Sequence, residues 1–487
     1  MKFNQAWGNW AEKISRWLLW AILAVALVVM AWYQTRSLLF RYPIDYGEAA
    51  TVDISMRMLR GVSIYPVDLT KPDYIISNYP PLYMALQAPL IGLFGPGFWQ
   101  GRLISIICTW VAAYFLALTL HHHTKDVFAS AVTGMIFLAW PFVVMWSGLA
   151  RIDCLALALA LAGLFFLSRA DMKWSHFWLG SLLLVGAIFT RQSYMLAIPA
   201  AAFFWLLFRE WRKALLLVVT VGGLSLLIFL VLNSVTHGGF FLHSITLNLN
   251  TFNIEQLKYQ LRNNLFNLAW PLLLMAAASL FLILKGVKFN RLVGAFLIGA
   301  GLSALTIGKV GSNYNYFLEL CAALSLSAGS LLAWIRKYQG QKLVQSIILM
   351  ALVVQTGIFL NRTFEQQIPR LQSRLTIAGD LQKLEGIVAS SDGIVLADEY
   401  MGLISLQNKL LYIQPFASTQ AAYDGLWDET DFVNSIQAKK FSLILIYGTP
   451  GTTIIHSRWT DQMLAAIEGN YTVTETIAST RIFTPNK

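Results

Sequence analysis

Apolar runs of membrane length alternate with short polar connections along most of this chain. A helix crossing the hydrocarbon core of a bilayer needs about 20 mostly apolar residues, with roughly 17 to 25 usual. Runs of this character, several of them short, occupy residues 17–33, 103–120, 127–148, 154–167, 177–189, 195–208, 214–232, 268–284, 292–307, 320–334 and 343–360. They predict a polytopic α-helical membrane protein with about 11 transmembrane helices. Residues 80–95 are also apolar, but the stretch is short and carries Pro89. Counting it as a span would invert every later connection, so it reads as a helix along the outer interface.

Two polar segments interrupt the pattern. Residues 41–81 follow directly on the first apolar run and concentrate carboxylates, arginines and tyrosines. Residues 234–266 are rich in Asn, include His237 and His243, and show helical apolar spacing over 254–266, which suits a flexible lid. From residue 362 the pattern becomes that of a soluble domain. A polar helix over 363–384 precedes short strands at 393–397 and 410–413. A helix at 431–440 then leads to a strand at 443–447, and a helix at 461–468 to two final strands at 471–477 and 480–483 that can pair. Strands alternating with helices predict a small α/β domain. The chain thus divides into a membrane part, 1–361, and an appended part, 362–487.

Charge sets the orientation. If alternate connections are assigned to the cytoplasm, the inner set contains Lys2, Lys13 and Arg16; Lys125; Arg169 and Lys173; Arg209, Arg212 and Lys213; Lys285, Lys288 and Arg291; and Arg336, Lys337 and Lys342. Cytoplasmic connections of membrane proteins carry such an excess of Lys and Arg. The N-terminus is then inside, and the 41–81 loop and the C-terminal domain lie outside a plasma membrane. The 57% hydrophobic and 13% charged composition excludes an ordinary soluble protein. The net charge of +11 comes largely from the topology-setting clusters. Membrane lipids are therefore the expected surroundings and nucleic acid is not an expected partner. Cys108, Cys154 and Cys321 fall within or at the ends of apolar runs, so none can staple the exterior domain. The basic N-terminus and first apolar run lack a small-residue cleavage site and read as a retained helix.

Candidate chemistry gathers at outer helix ends. Asp45 and Glu48 follow the first span, where a carboxylate faces water and membrane surface and can take a proton from an acceptor. Carboxylates at helix exits also serve simply as solvated or capping groups. Arg151 and Asp153 lie between the third and fourth spans; Arg191, and Lys309 with Asn313 and Tyr316, mark other outer ends. Each cation alone reads equally as an interfacial ion pair. Together, cations placed against the positive-inside bias suggest an anion site. His121 to His123 sit in a cytoplasmic turn without carboxylate or cysteine companions and carry no metal prediction. The 448–453 stretch lacks the lysine of a phosphate-binding loop and reads as a turn.

The order of these features resembles the GT-C glycosyltransferases. The matching motifs are Asp45-Tyr46-Gly47-Glu48, Gly61-Val62-Ser63-Ile64-Tyr65, Tyr79-Pro80-Pro81-Leu82-Tyr83, and Gly101-Arg102-Leu103. Within that superfamily the chain is most similar to bacterial relatives of the protein O-mannosyltransferases and of the aminoarabinose transferase acting on lipid A. The resemblance covers the membrane part. It implies a sugar donor carried on polyprenyl phosphate and an acceptor that is a lipid, a glycan or a protein, met on the outer side of the membrane. It also implies a catalytic carboxylate at Asp45, then Glu48, with a further acid at Asp153. Arg151, Arg191 and Lys309 would hold the donor phosphate, and Tyr46, Tyr79, Tyr83, Asn313 and Tyr316 would contact substrate.

The chain departs from the aminoarabinose transferases in having Asn78-Tyr79 where they carry an acidic-basic pair. It also lacks the Asp-x-Asp motif of oligosaccharyltransferases. No cofactor and no essential metal are expected. The competing reading is a transporter or flippase for a lipid-linked sugar. Transporters place polar groups and broken helices near the midplane, whereas the carboxylates here sit at the outer ends of the spans.

Overall fold

In the computed structural model the described residues are 2–169, 173–192, 195–338 and 341–487. Every predicted apolar run is helical. The first span is α1 (Lys2–Leu39), followed by two helices of the polar loop region, α2 (Gly47–Leu59) and α3 (Leu82–Phe94). Then come α4 (Trp99–Thr124), α5 (Val127–Ala139), α6 (Pro141–Ser147), α7 (Asp153–Ser168), α8 (Trp174–Ile188), α9 (Ala197–Leu207) and α10 (Trp211–Val235). The second polar segment forms α11 (Gly239–Ser244) and α12 (Ile254–Gln260). The bundle continues with α13 (Asn267–Leu284), α14 (Phe289–Ala304), α15 (Leu318–Arg336) and α16 (Lys342–Arg362).

Among the described residues, seven helical stretches are long and apolar enough to cross a membrane, and α5 with α6 would make an eighth. That span is bent by 69°. The cause is local: Pro141 opens α6, and Trp140 before it is held extended at ψ 129°, as a residue preceding proline must be to avoid its ring. Three predicted spans, α7, α8 and α9, are shorter, at 16, 15 and 11 residues.

The bundle is organised around α15, 94% buried over its apolar window, while α10 at 17% lies on the periphery. The difference follows from composition. Ala322, Ala323, Ser325, Ser327, Ala328, Gly329 and Ser330 let neighbouring backbones approach closely, which is how membrane helices gain packing without a hydrophobic drive. A methyl group on Gly329 would overlap the Thr133 hydroxyl. The basic clusters meet at one end of the bundle: Arg336 pairs with Asp126 at 2.7 Å, Arg16 and Arg336 both face the Phe128 ring, and Arg209 donates to the Arg169 carbonyl.

The last span does not stop at residue 361. It runs as one helical stretch to Thr376, through a π-turn at Thr363–Gln367 and α17 (Ile368–Thr376), and α18 (Ala378–Ala389) follows. The C-terminal sheet contains β1 (Ile394–Ala397), β2 (Phe441–Tyr447), β3 (Tyr471–Ile477) and β4 (Thr480–Pro485), in the order β1-β2-β4-β3. β1 and β2 are parallel and the other pairings antiparallel. The strand predicted at 410–413 does not form. That segment makes one isolated bridge, Tyr74 to Ile413. Its backbone is used instead to hold the loop after α1: the Tyr74 amide donates to the Tyr412 carbonyl at 2.8 Å, and the Tyr74 ring packs with Tyr412, Trp427 and Phe432. The loop after α1 is thereby plugged into the core of the C-terminal domain.

Candidate active site

The Asp45-Tyr46-Gly47-Glu48 turn presents two carboxylates in opposite circumstances. Glu48 is fully buried. Its Oε1 accepts from Arg102 Nε and from the Ala150 amide, both at 2.8 Å; its Oε2 accepts from Arg102 Nη2 at 2.8 Å and from the amides of Ile44 and Asp45 at 2.7 and 3.3 Å. Arg102 donates further to the carbonyls of Ser37, Phe40 and Tyr42. A planar guanidinium with five donors is suited to such a junction. The pair joins the end of α1, the loop after it, α4 and the 149–152 turn. Glu48, expected as an alternative base, has both oxygens engaged by these donors.

Asp45 is the exposed member. Its side chain retains 23% exposure and lies 3.3 Å from Arg151 Nη1; its Oδ1 also accepts from the Gly47 amide at 3.0 Å. Burial raises the Asp45 carboxyl above the usual carboxylate range; the Arg151 charge opposes that rise, and Glu48 and Glu399 add to it. Arg151 is 16% exposed. Its Nε has no hydrogen-bond partner among the described residues. Gly47 makes the approach possible, since a methyl group there would overlap the Arg151 guanidinium.

Asp153, expected as a second catalytic acid, is also fully buried. Its Oδ1 accepts from Arg191 Nη1 at 2.5 Å and from Asn315 Nδ2 at 2.9 Å, and its Oδ2 from the Trp146 indole at 2.7 Å. Arg191 lies over the rings of Tyr79 and Tyr316, 5.5 and 4.9 Å from their centroids. This second buried pair supports the aromatic wall of the site from behind.

Two clefts flank the Asp45–Arg151 pair. The first, about 890 Å³, is lined by Tyr46, Asn78, Tyr79, Arg151, Tyr316 and Gln414, among others. The second, about 1130 Å³, has Asp45 in its wall with Tyr33, Arg370, Arg374, Tyr400 and Tyr447. Arg151 thus faces one cleft and Asp45 the other. Of the remaining predicted residues, Lys309 and Asn313 are outside both linings; Lys309 is fixed through its backbone bridge to Phe252, and Asn313 caps its own turn by accepting from the Tyr314 amide. Tyr83 is buried and donates to the Gly101 carbonyl at 3.0 Å.

Arg102, Trp146, Asn315, Arg370 and the C-terminal Glu399 and Arg458 were not singled out from the sequence. Arg102 stands in a motif at the start of an apolar run, and Asn315 in the polar 308–316 stretch with Lys309, Asn313 and Tyr316; the others carried no signal. Among the described residues, no group of three or more His, Cys, Asp or Glu side chains is placed to hold a metal ion.

A helical bundle with a carboxylate just after its first span, paired to an arginine from the turn between α6 and α7 and covered by a small α/β domain, defines a class by its architecture: the chain shares the GT-C glycosyltransferase fold. Residues 78–236 match the family described as dolichyl-phosphate-mannose-protein mannosyltransferase. Among solved structures the chain is similar to ArnT from Cupriavidus metallidurans bound to undecaprenyl phosphate. The identity is 15%, the match covers 95% of this chain and 97% of that one, and the TM-score is 0.62. It is also similar to the archaeal oligosaccharyltransferase AglB from Archaeoglobus fulgidus, in complex with an inhibitory peptide and a dolichol-phosphate. There the identity is 10%, the coverage 95% and 74%, and the TM-score 0.58. No curated protein matches the chain in sequence.

Proposed function

We propose that the protein is an integral membrane glycosyltransferase that moves a sugar from a polyprenyl-phosphate donor to an acceptor on the outer face of the plasma membrane. The observation that carries this reading is the open Asp45–Arg151 pair, with its cation in one cleft and its carboxylate in the other. The donor phosphate would lie in the first cleft against Arg151, with Tyr46, Tyr79 and Tyr316 around the sugar. The acceptor would enter the second.

An acceptor hydroxyl attacks the anomeric carbon. As the new C–O bond forms, Asp45 takes the hydroxyl proton, and the bond to the phosphate oxygen breaks with its electron pair leaving on the polyprenyl phosphate. Arg151 stabilises that growing charge. A positioned base contributes about 10²–10⁴-fold; the raised Asp45 carboxyl suits the role, since a base works best near the operating pH. Single displacement from opposite faces inverts the anomeric configuration. A family model named for a dolichyl-phosphate-mannose-using transferase and structural neighbours with bound polyprenyl phosphates support this donor class.

The test supplies polyprenyl-phosphate sugars to membranes carrying the native chain or Asp45→Asn. Release of polyprenyl phosphate with sugar transfer by the native chain, reduced about 10²-fold or more in the folded variant, is expected. Movement of intact lipid-linked sugar across the bilayer without release would replace this reading by the transporter.

A further inference from the structure

The C-terminal domain reaches the site through a charged cluster at the end of β1. Asp398 and Glu399 follow that strand directly, the position at which open α/β sheets place functional groups. Asp398 is saturated: it accepts from the amides of Glu399 and Tyr447 and from the Trp459 indole. Glu399 is shared between two arginines, Arg458 at 2.5 Å through Nη2, and Arg374, whose other terminal nitrogen donates to the Tyr400 hydroxyl. Arg458 then lies over Tyr46, 5.0 Å from the ring centroid, and Phe416 packs against the same ring at 5.9 Å.

Tyr46 is the residue between Asp45 and Gly47. Its ring is thus held by two C-terminal side chains, while its neighbour carries the open carboxylate. Arg458 is 9% exposed, and its Nη1 has no hydrogen-bond acceptor among the described residues, although Asp398 lies 4.0 Å away. A buried guanidinium with an unused donor is costly for a role that is only structural. The same domain supplies Met401, Gln414, Phe416 and Ala417 to the first cleft.

Resting on the function proposed above, we infer that Arg458, held by Glu399, is a positioning residue. By clamping Tyr46 it fixes the Asp45 carboxylate beside Arg151, so that the site is complete only with the C-terminal domain docked. A displacement of about 1 Å at a reacting group can cost on the order of 10²-fold.

The experiment uses the full chain in lipid nanodiscs with Arg458→Ala, Arg458→Lys and Asp45→Asn. One readout is polyprenyl phosphate release from polyprenyl-phosphate sugars. A second is binding of undecaprenyl phosphate. The third is the pH midpoint of carbodiimide labelling at Asp45, which is faced by Arg151, Glu48 and Glu399 and shares its cleft with Arg370 and Arg374. Arg458→Ala should lose about 10- to 100-fold in kcat while binding undecaprenyl phosphate within about threefold of the native chain. Its labelling midpoint should rise by about half a unit or more, because a carboxyl no longer fixed beside Arg151 loses the charge that opposes its rise, and Glu399 loses one of its two arginines. Arg458→Lys, which keeps the cation, should recover part of both.

Native kcat and an unchanged midpoint in Arg458→Ala would overturn the inference. So would a kcat loss with an unchanged midpoint. If Asp45→Asn is inactive in those circumstances, the proposed function stands and only the positioning role falls; if Asp45→Asn retains native release, the proposed base fails, and the labelling midpoint still decides the positioning role.

Discussion

Glu48–Arg102 and Asp45–Arg151 are both carboxylate–arginine pairs built from the same four-residue turn, yet one is closed and the other open. The closed pair has 0% side-chain exposure on both sides, and Arg102 reaches both Glu48 oxygens at 2.8 Å. The open pair is longer, 3.3 Å, with 16% and 23% exposure. Burial explains the contrast in use. A buried carboxylate is tolerable only when paired and hydrogen-bonded, and once saturated it has nothing left for a substrate. The partly solvated pair keeps an arginine nitrogen that has no partner among the described residues and a carboxylate facing a cleft. Under the proposed function, the first pair holds the turn and the second meets the substrates.

The contrast can be broken from either side. Glu48→Ala strands the Arg102 charge in the interior, and removing one partner of a buried pair costs about 3–5 kcal/mol; the expected outcome is a large loss of folded protein, read by thermal unfolding in detergent. Arg151→Ala should leave the melting temperature close to native but lower release of polyprenyl phosphate by on the order of 10²-fold, the cost of losing one well-aimed charge donor.

The pH profile sharpens the same point. A raised Asp45 carboxyl is protonated at higher pH than a free carboxylate, so the base is lost as pH falls through its folded value. The acid limb of kcat should therefore lie above the usual carboxylate range, and it should move higher still in Arg151→Ala, because Arg151 opposes the rise. Gly47→Ala, which pushes the guanidinium aside, should cost about tenfold in turnover with little change in stability. Asn313→Ala, on a turn outside both clefts, should leave the rate within about threefold, a surface change of the smallest class.

Much of the fold was legible because membrane helices advertise themselves: every apolar run became a helix, and the basic clusters meet at one end. The strand at 410–413 was misread because its apolar residues serve a loop more than 300 positions earlier, through the Tyr74 contacts with Tyr412. Long-range pairing of that kind leaves no local periodicity. The break at Trp140–Pro141 was visible as a proline, but only the geometry shows a 69° bend.

At the site, Asp45 and Arg151 were both named from the sequence, while their pairing was not. Three carboxylates were candidates by position, Asp45, Glu48 and Asp153. What separates them is how many donors surround each, and that depends on Arg102, Trp146, Asn315 and backbone amides brought together by the fold. Lys309 drew notice as a cation at an outer helix end, yet it lines neither cleft. The reach of Arg458 to Tyr46 spans most of the chain and could not be read from composition.

The most direct test of the division between open and closed pairs compares Asp45→Asn with Glu48→Gln, measuring polyprenyl phosphate release per folded molecule. The account predicts that Asp45→Asn folds like the native chain and loses about 10²-fold or more in rate, whereas Glu48→Gln yields less folded protein but keeps its rate within about tenfold. The reverse result, native release by Asp45→Asn or a folded Glu48→Gln with the greater loss, would place the chemistry on the buried carboxylate and contradict it.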